Sequence, residues 1–344
     1  MIIENVAFPG GRHCETTTLG ALLRHEGVDL SEPMLFGLGE GLGFVYWDAK
    51  SMDFPFLGGR TKPTAIIRTV ADRLGLTLRI EETASPRKAW RNVVAALAAG
   101  QPVGLQLDSY HLDYFTTKVH FGGHFVAMYG YDDTHAYLID TVQQGGTVTT
   151  TLPSLERARN ERGPMTARNL SYTIAGPTGR RPDLGDAIRT AIGNNAHTFL
   201  NPPIANLGHR GIGKAARQVT RWFERAGDPS RDLPLAAALM ERGGTGGALF
   251  RAMYRDFLAE CATIVDDDNL RLGHQLYAEI APLWTEVSQH IVTAGETGHP
   301  DHLTRAAAIL TELADRERHA MQVLAGILTP SAPSRSAESE CDGS

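Results

Sequence analysis

Three residues that lie far apart in the sequence carry the side chains of a thiol-based catalytic triad. Cys14 precedes an apolar helical stripe, His124 opens an apolar run after two glycines, and Asp140 closes the next apolar run. A thiolate is a strong nucleophile, an imidazole can accept and return a proton, and a carboxylate can hold the imidazole in one tautomer. The three residue types together predict nucleophilic acyl chemistry at Cys14.

The predicted nucleophile stands at the beginning of a helix. Leu19, Leu22 and Leu23 form an apolar stripe after Cys14, and Gly27 is placed to end the helix. The unpaired N–H groups of a helix start favour a thiolate and could also bind the oxyanion of a tetrahedral intermediate. The alternative interpretation of Cys14 is a small buried apolar residue, which is common for a free cysteine.

The predicted base and its carboxylate belong to a β-hairpin. The apolar runs 124–131 and 136–140 flank the tight turn Asp-Asp-Thr-His. Adjacent antiparallel strands bring the start of the first run beside the end of the second, so His124 is expected to meet Asp140. Taken singly, the two residues would be interpreted as a core histidine and a turn aspartate. Their combination with Cys14 favours catalysis.

Five more residues are predicted to contact substrate: His13, Glu40, Tyr46, Asp108 and Tyr110. His13 adjoins the nucleophile, but neighbouring side chains at a helix start point apart, so we expect a structural or substrate-contact role. Glu40 and Tyr46 lie in a stretch that alternates glycine with large apolar residues. That stretch resembles a nucleotide loop only superficially, because no strand clearly precedes it and no Lys-Ser or Lys-Thr follows it. We favour a tight backbone passage beside the site.

A metal site is not expected from the sequence. His111 and His120 could be metal ligands together with Asp113, but no fourth partner has a suitable spacing. The segment that contains them is instead expected to be a loop that lines the site before the His124 strand. No cofactor is predicted either.

The composition is that of a globular protein. The 344 residues are 42% hydrophobic and 21% charged, and the net charge of -6 gives no general attraction to nucleic acid or to anionic membranes. No basic leader with an apolar run and no long apolar stretch is found, so we predict a cytoplasmic protein without nucleic-acid or membrane partners. The cysteines Cys14, Cys261 and Cys341 are too widely spaced for a metal or disulfide framework.

The chain is predicted to have an α+β fold with two domains and a tail. Residues 1–180 mix strand and helix patterns and end in a linker rich in glycine and proline, whereas 181–328 carry helical periodicity alone. Residues 329–344 have almost nothing to bury and are expected to be disordered, which makes Cys341 incidental. The predicted helices of the second domain are 187–196, 212–226, 233–242, 248–264, 270–293 and 302–328.

The same motifs resemble a known family. Residues 12–17, 36–47, 122–133 and 138–140 are similar to the N-terminal domain of butirosin biosynthesis protein H, and 242–260 resemble the uncharacterised domain that commonly accompanies it. The resemblance implies a papain-like catalytic domain. It also implies transfer of an acyl or aminoacyl group from an acyl carrier protein, or another thioester donor, to a small-molecule amine through an acyl-Cys14 intermediate, in natural-product biosynthesis.

The helical domain contains one candidate phosphate site. The glycine-rich loop 243–247 precedes a helix expected near Ala248, with Arg251 and Arg255 one turn apart. Backbone N–H groups at a positive helix end could hold the phosphate of a phosphopantetheine arm. The alternative, which we favour, is a plain helix entry with apolar neighbours in the core and the arginines in solvent.

Two other functions are kept beside the acyltransferase. A thioesterase or peptidase could use the same triad with water as the acceptor. A binding module could keep the shell of the fold without catalysis. An amide product indicates the acyltransferase, and a free acid indicates the thioesterase or peptidase. Alkylation of Cys14 no faster than that of an ordinary exposed thiol indicates the binding module.

Overall fold

The computed structural model describes residues 1–49, 52–163, 166–177, 179 and 182–328. The predicted α+β class is confirmed, because antiparallel sheets precede a helical region. The strands are β1 (Leu42–Trp47), β2 (Phe56–Arg60), β3 (Leu76–Glu81), β4 (Val103–Leu107), β5 (His124–Tyr131), β6 (His135–Ile139), β7 (Thr147–Thr151) and β8 (Ser171–Pro177). The first helices are α1 (Cys14–His25), α2 (Glu32–Leu38), α3 (Ala65–Arg73), α4 (Pro86–Ala98) and α5 (Leu152–Asn160).

The main sheet has six strands in the order β3-β8-β4-β5-β6-β7, and every neighbouring pair is antiparallel. All five residues of β4 are buried, as expected for a strand in the middle of a sheet. The predicted hairpin is confirmed by the pairing of Ala127 with Ile139 and of Tyr131 with Ala136. Asp132 shapes its turn, because one carboxylate oxygen accepts the N–H groups of Thr134 and His135.

A separate two-stranded sheet, β1 and β2, follows α2. The alternating glycines before and within β1 allow close packing. A Cβ atom on Gly37 would lie 2.2 Å from the ring of Phe257, and one on Gly41 would lie 2.6 Å from the ring of Phe36. These glycines therefore allow close packing between elements.

The C-terminal region is helical. Its helices are α6 (Leu184–Leu200), α7 (Gly208–Val219), α8 (Trp222–Arg225), α9 (Pro229–Arg242), α10 (Arg251–Cys261), α11 (Asp268–Thr297) and α12 (Asp301–Ala325). None of the helices in the described ranges is long and apolar enough to cross a membrane. The long helices α11 and α12 lie side by side, and both contribute buried apolar residues to the core.

Two of the predicted helices differ from the observed ones. The helix expected over 212–226 is interrupted after Val219, where the N–H group of Arg221 donates to the carbonyl of Gln218 and tightens the turn. The helix expected from Ala248 begins later, because Ala248, Leu249 and Phe250 have positive φ angles of 51°, 48° and 73°. Here the chain presses on β2, since a Cβ atom on Gly59 would lie 2.3 Å from the carbonyl oxygen of Leu249.

One apolar core runs through both parts of the chain. It contains residues of α1, α2 and β1 as well as residues of α6 to α12. A smaller cluster fills the other face of the main sheet beneath α4 and α5. The domain boundary predicted near residue 180 falls at residues 178 and 180–181, which lie outside the described residues. The predicted tail 329–344, with Cys341, lies outside them too.

A buried ion pair joins three helices of this core. The guanidinium of Arg251 binds both carboxylate oxygens of Glu317 at 2.9 Å, and Trp284 donates its indole N–H to the same carboxylate at 2.5 Å. The remaining guanidinium nitrogen donates to the carbonyl of Leu249 at 2.8 Å. Arg251 and Glu317 are fully buried, so each charge depends on these partners.

Replacing Glu317 by alanine should strongly destabilise the protein. The change leaves the buried guanidinium of Arg251 without a counter-charge, which costs about 3–5 kcal/mol of unfolding free energy. Urea unfolding measures the loss. Glu312→Ala is the matched control on the same helix, because its ion pair with Arg316 is exposed and contributes less than about 1 kcal/mol. Equal losses in the two variants would contradict this account.

Candidate active site

Cys14 is the first residue of α1, and the chain just before it is held by a carboxylate. Glu32 accepts the backbone N–H groups of Arg12 and His13 at 2.8–2.9 Å and the hydroxyl of Thr16 at 2.9 Å. The N–H group of Cys14 itself has no acceptor within the described chain. The first turn of α1 therefore presents a free donor directly beside the sulfur.

His124 and Asp140 meet as the hairpin predicted. His124 is the first residue of β5 and pairs with Leu107 of β4, and Asp140 directly follows β6. The Nε2 atom of His124 lies 2.7 Å from Oδ2 of Asp140, and both residues are buried. The backbone N–H of Thr141 donates to the other carboxylate oxygen at 2.6 Å. The histidine ring is thus fixed with its Nδ1 atom left for another partner.

Burial alone would lower the pKa of His124. The charge and hydrogen bond of Asp140, together with the neighbouring Cys14 sulfur, outweigh burial and raise the pKa to about 10. At neutral pH the ring is therefore an imidazolium. The structure brings together the three predicted side chains as a thiol, an imidazole and a carboxylate.

Two aromatic residues of the site were not identified from the sequence. The hydroxyl of Tyr114 donates to Oδ2 of Asp140 at 2.7 Å, and the ring of Phe115 meets the ring of His124 edge-on at 5.1 Å. Burial and the charge of Asp140 raise the pKa of Tyr114 well above its ordinary value, so it remains a donor. The sequence signal that could have identified them is the adjacent Tyr-Phe pair in the segment predicted to line the site. A buried tyrosine hydroxyl needs a hydrogen-bond partner, and a carboxylate of the site can be that partner.

A buried ion pair involves the residue that follows Cys14. Glu15 follows Cys14 in α1, is fully buried, and binds Arg60 at 2.7 Å. Burial raises the pKa of Glu15, and the charge of Arg60 opposes this shift. The pair ties the beginning of α1 to the end of β2 and was also missed from the sequence, because the two residues are distant.

His13 packs within an aromatic cluster. Its ring stands edge-on to Phe36 at 6.2 Å and to Phe250 at 5.2 Å, and its Nδ1 atom lies 3.1 Å from the hydroxyl oxygen of Thr16. Burial, followed by the charges of Arg60 and of the His124 ring, lowers the pKa of His13 well below its ordinary value. The ring is neutral. Through Phe250, the C-terminal region contacts the residue next to Cys14.

Asp108 and Tyr110 lie near the approach to His124. Asp108 directly follows β4 and accepts the N–H groups of Tyr110 at 2.9 Å and Phe121 at 3.1 Å. It lines a cleft of about 400 Å³ together with Gly122, two residues before His124. The ring of Tyr110 is partly exposed and stacks on His120 with a centroid distance of 4.0 Å. These positions are compatible with the predicted substrate contacts.

Glu40 and Tyr46 are held by other parts of the molecule. Glu40 binds Arg73 at 2.6 Å and Asn194 at 3.0 Å, and the buried ring of Tyr46 lies 5.9 Å from the ammonium group of Lys214. Through Asn194 and Lys214, these contacts join β1 and the residue Glu40 just before it to the C-terminal helices α6 and α7. Neither residue has a hydrogen bond or ion pair with the triad in the described part of the chain, so their substrate role stays a prediction.

The prediction that Arg251 binds a phosphate is wrong. Its guanidinium is buried and bonded to Glu317, because the helix turns this residue into the core instead of toward solvent. The alternative that placed the arginines in solvent fails for Arg251 for the same reason. Arg255 is partly exposed and pairs with Asp256 at 2.7 Å. A single exposed arginine remains of the proposed phosphate site.

Of the weighed metal ligands, His111 and His120 come together, but Asp113 does not join them. Its carboxylate accepts hydrogen bonds from Thr150, Thr151 and Ser154. Burial opposes ionisation, yet these hydrogen bonds, led by the Thr151 N–H group, lower the pKa of Asp113 to about 2. Asp113 is therefore a structural residue that links its loop to β7 and α5.

Replacing Asp140 by asparagine should return the pKa of His124 from about 10 toward the ordinary value of about 6.5, because the charge that stabilises the imidazolium is removed. A histidine NMR titration measures it. Because the folded pKa is raised, the His124 pair contributes its full stability below about pH 6.5 and loses it as the pH rises through about 10. Asp113→Asn should leave the titration unchanged. An unaltered His124 titration in Asp140→Asn would refute the assigned cause.

Comparisons with known proteins agree with the motifs. A family model described as butirosin biosynthesis protein H, N-terminal, matches residues 13–141, and one described as a domain of unknown function (DUF4872) matches 153–324. The first match spans Cys14, His124 and Asp140. A search of curated proteins found no match. The two matches cover both the sheet-containing and the helical regions, and the chain belongs to the butirosin biosynthesis protein H family.

Proposed function

We propose that the protein is a cysteine-dependent acyltransferase of natural-product biosynthesis. It moves an acyl or aminoacyl group from a carrier-protein thioester to an amine acceptor through an acyl-Cys14 intermediate. The observation that carries the proposal is the buried His124–Asp140 hydrogen bond of 2.7 Å, with the Cys14 sulfur acting on the same imidazole. The family's name, taken from butirosin biosynthesis, supports the biosynthetic setting.

In the first half-reaction the Cys14 thiolate attacks the thioester carbonyl and forms a new carbon–sulfur bond. The tetrahedral intermediate then collapses, and the bond to the carrier sulfur breaks. The Nδ1 proton of the His124 imidazolium passes to the departing sulfur, so the carrier leaves as a thiol. The products of this step are an acyl-enzyme and a neutral imidazole.

In the second half-reaction the neutral His124 accepts the proton of the incoming amine as its nitrogen attacks the acyl-enzyme. The carbon–nitrogen bond of an amide forms and the bond to Cys14 breaks. The site returns to a thiolate beside an imidazolium. Asp140 accepts the Nε2 hydrogen bond of His124 and stabilises the positive ring, while Tyr114 and Thr141 hold the carboxylate in place.

The backbone of α1 supports the same chemistry. The free N–H group of Cys14 lies at the start of α1, where the aligned peptide dipoles favour negative charge. An oxyanion formed on the substrate carbonyl can accept this donor. Glu32 occupies the N–H groups of Arg12 and His13, so the Cys14 N–H is the first donor of this turn that is left for substrate.

The C-terminal region would help to exclude water during the lifetime of the acyl-enzyme. Phe250 packs on His13, and the position of a Cβ on Gly244 lies 3.6 Å from the carbonyl oxygen of Arg12. Both contacts reach the residues directly before Cys14. We propose that Asp108 and Tyr110 contact the acyl group or the amine at the open side of the site.

Mixing the protein with a carrier-linked acyl thioester should produce a covalent adduct on Cys14. Intact-protein mass spectrometry should show a mass increase equal to the acyl group, and peptide mapping should locate it. The Cys14→Ala variant should show no adduct. Cys261→Ala is the matched control and should react normally, because Cys261 is completely buried in the C-terminal core and burial raises the pKa of its thiol. Unchanged acylation of Cys14→Ala would exclude this nucleophile.

Adding an amine to the acylated protein should yield an amide faster than water yields the free acid. Liquid chromatography with mass detection quantifies both products over time. Free acid as the main product at saturating amine, across a panel of amines, would replace the transferase by a thioesterase with the same triad. A Cys14 thiol that iodoacetamide alkylates no faster than glutathione at neutral pH would favour a non-catalytic module.

A further inference from the structure

Three ionisable side chains that the proposed reaction does not use converge beside the approach to His124. Nitrogen atoms of His111 and His120 and a carboxylate oxygen of Glu161 all lie within 4.8 Å of one another. His111 Nε2 and Glu161 Oε2 are 2.5 Å apart. The set supplies two imidazoles and one carboxylate, which is the ligand set of many zinc sites.

The fold, not the sequence spacing, assembles this cluster. His111 ends the short turn that follows β4, His120 lies in the segment that leads to His124, and Glu161 directly follows α5. The N–H group of Asp108 donates to the carbonyl of Ala158 at 2.8 Å, which holds the end of α5 against the end of β4. Glu161 is thereby brought to two histidines that lie 50 and 41 residues earlier.

Neighbouring groups orient the three side chains. Asp108 lies 3.2 Å from Nδ1 of His120, which leaves Nε2 of that ring for an ion, and Tyr110 stacks on the same ring at 4.0 Å. The N–H group of Arg162 donates to Oε1 of Glu161 at 3.0 Å, which leaves Oε2 facing His111. A carboxylate behind a metal-binding histidine is a common arrangement and raises the basicity of the ligand.

The distances are close to those of a metal centre. Zinc bonds of about 2.0–2.2 Å in a tetrahedral site place neighbouring ligand atoms about 3.3–3.5 Å apart. The spacing from 2.5 to 4.8 Å brackets this range, so small side-chain movements suffice. The side chains of His111, His120 and Glu161 are 17%, 58% and 33% exposed, so an ion can reach them.

We propose that His111, His120 and Glu161 form a three-ligand site for a divalent transition-metal ion of the zinc type. Two of the three ligands, His120 and Glu161, also line the cleft of about 400 Å³, through which an ion and a water molecule could reach the site. Imidazole ligands select zinc and related ions over magnesium and calcium. The charges of Glu161 and Asp108 favour a cation, and Arg162 at the same cleft opposes it.

A bound ion would tie the segment before His124 to the end of α5. Residues 109–122 carry two of the ligands and lead directly into β5. The ion would therefore act on the triad by positioning this segment, and it would raise the unfolding temperature because it binds the folded chain. This inference goes beyond the proposed acyl transfer and does not depend on it.

Isothermal titration calorimetry with zinc sulfate on the full-length protein tests the site. The Cys14→Ala background is used, because the thiol and His124 could themselves bind zinc. We expect one equivalent of zinc per chain, with affinity reduced at least about tenfold by His120→Ala and by Glu161→Gln, and about 10–100-fold by Asp108→Asn. Circular dichroism verifies that each variant is folded.

His290→Ala is the matched control, since His290 belongs to the separate pair in which its Nδ1 lies 3.3 Å from Nδ1 of His302. Its zinc affinity should equal that of the parent, and magnesium chloride should give no binding. Cobalt chloride should give visible absorption bands in the parent that disappear in His120→Ala. Equal zinc affinity in the parent, His120→Ala and Glu161→Gln, or no zinc binding by the parent, would overturn the proposal.

Discussion

The buried hydrogen bond between His124 and Asp140 determines the charge state of the candidate site. In the interior, an isolated imidazole would be neutral, because burial disfavours its charged form. The carboxylate reverses this preference and raises the pKa of His124 to about 10. The register of β5 and β6 brings the beginning of β5, at His124, beside the end of β6, at Asp140. Tyr114 and Thr141 donate further hydrogen bonds to the Asp140 carboxylate.

The surroundings of Cys14 follow from the same need to satisfy buried charge. Glu32 holds the backbone before Cys14, and Glu15 pairs with Arg60 directly after it. Two unpaired carboxylates beside Cys14 would place negative charge next to its sulfur. Glu32 is engaged by N–H donors and Glu15 by a guanidinium, so much of their charge is offset locally. The positively charged ring of His124 then remains as the partner of the Cys14 sulfur.

Local patterns in the sequence predicted the hairpin of β5 and β6, the helix α1 and most of the C-terminal helices, and the hairpin brings His124 to Asp140 as expected. The hairpin could be predicted because alternating apolar runs flank a turn with an aspartate, and α1 because its leucines recur at helical spacing. The partners of these residues could not be predicted. Tyr114, Arg60 and Glu161 reach their positions through packing between distant segments, and Arg251 turns inward because Glu317, 66 residues later, meets it in the core. The domain boundaries remain predictions.

Three successive residues with left-handed backbone angles, Ala248 to Phe250, separate the glycine-rich loop from α10. Each such conformation costs about 1–3 kcal/mol for a non-glycine residue, and surrounding contacts must sustain it. Here those contacts are β2 on one side and the aromatic cluster around His13 on the other. Separating the helices from the sheet would remove these contacts and expose the His13 ring to water, so the pKa of His13 would rise toward its ordinary value. The C-terminal helices thus belong to the electrostatic environment of Cys14 as much as to its scaffold.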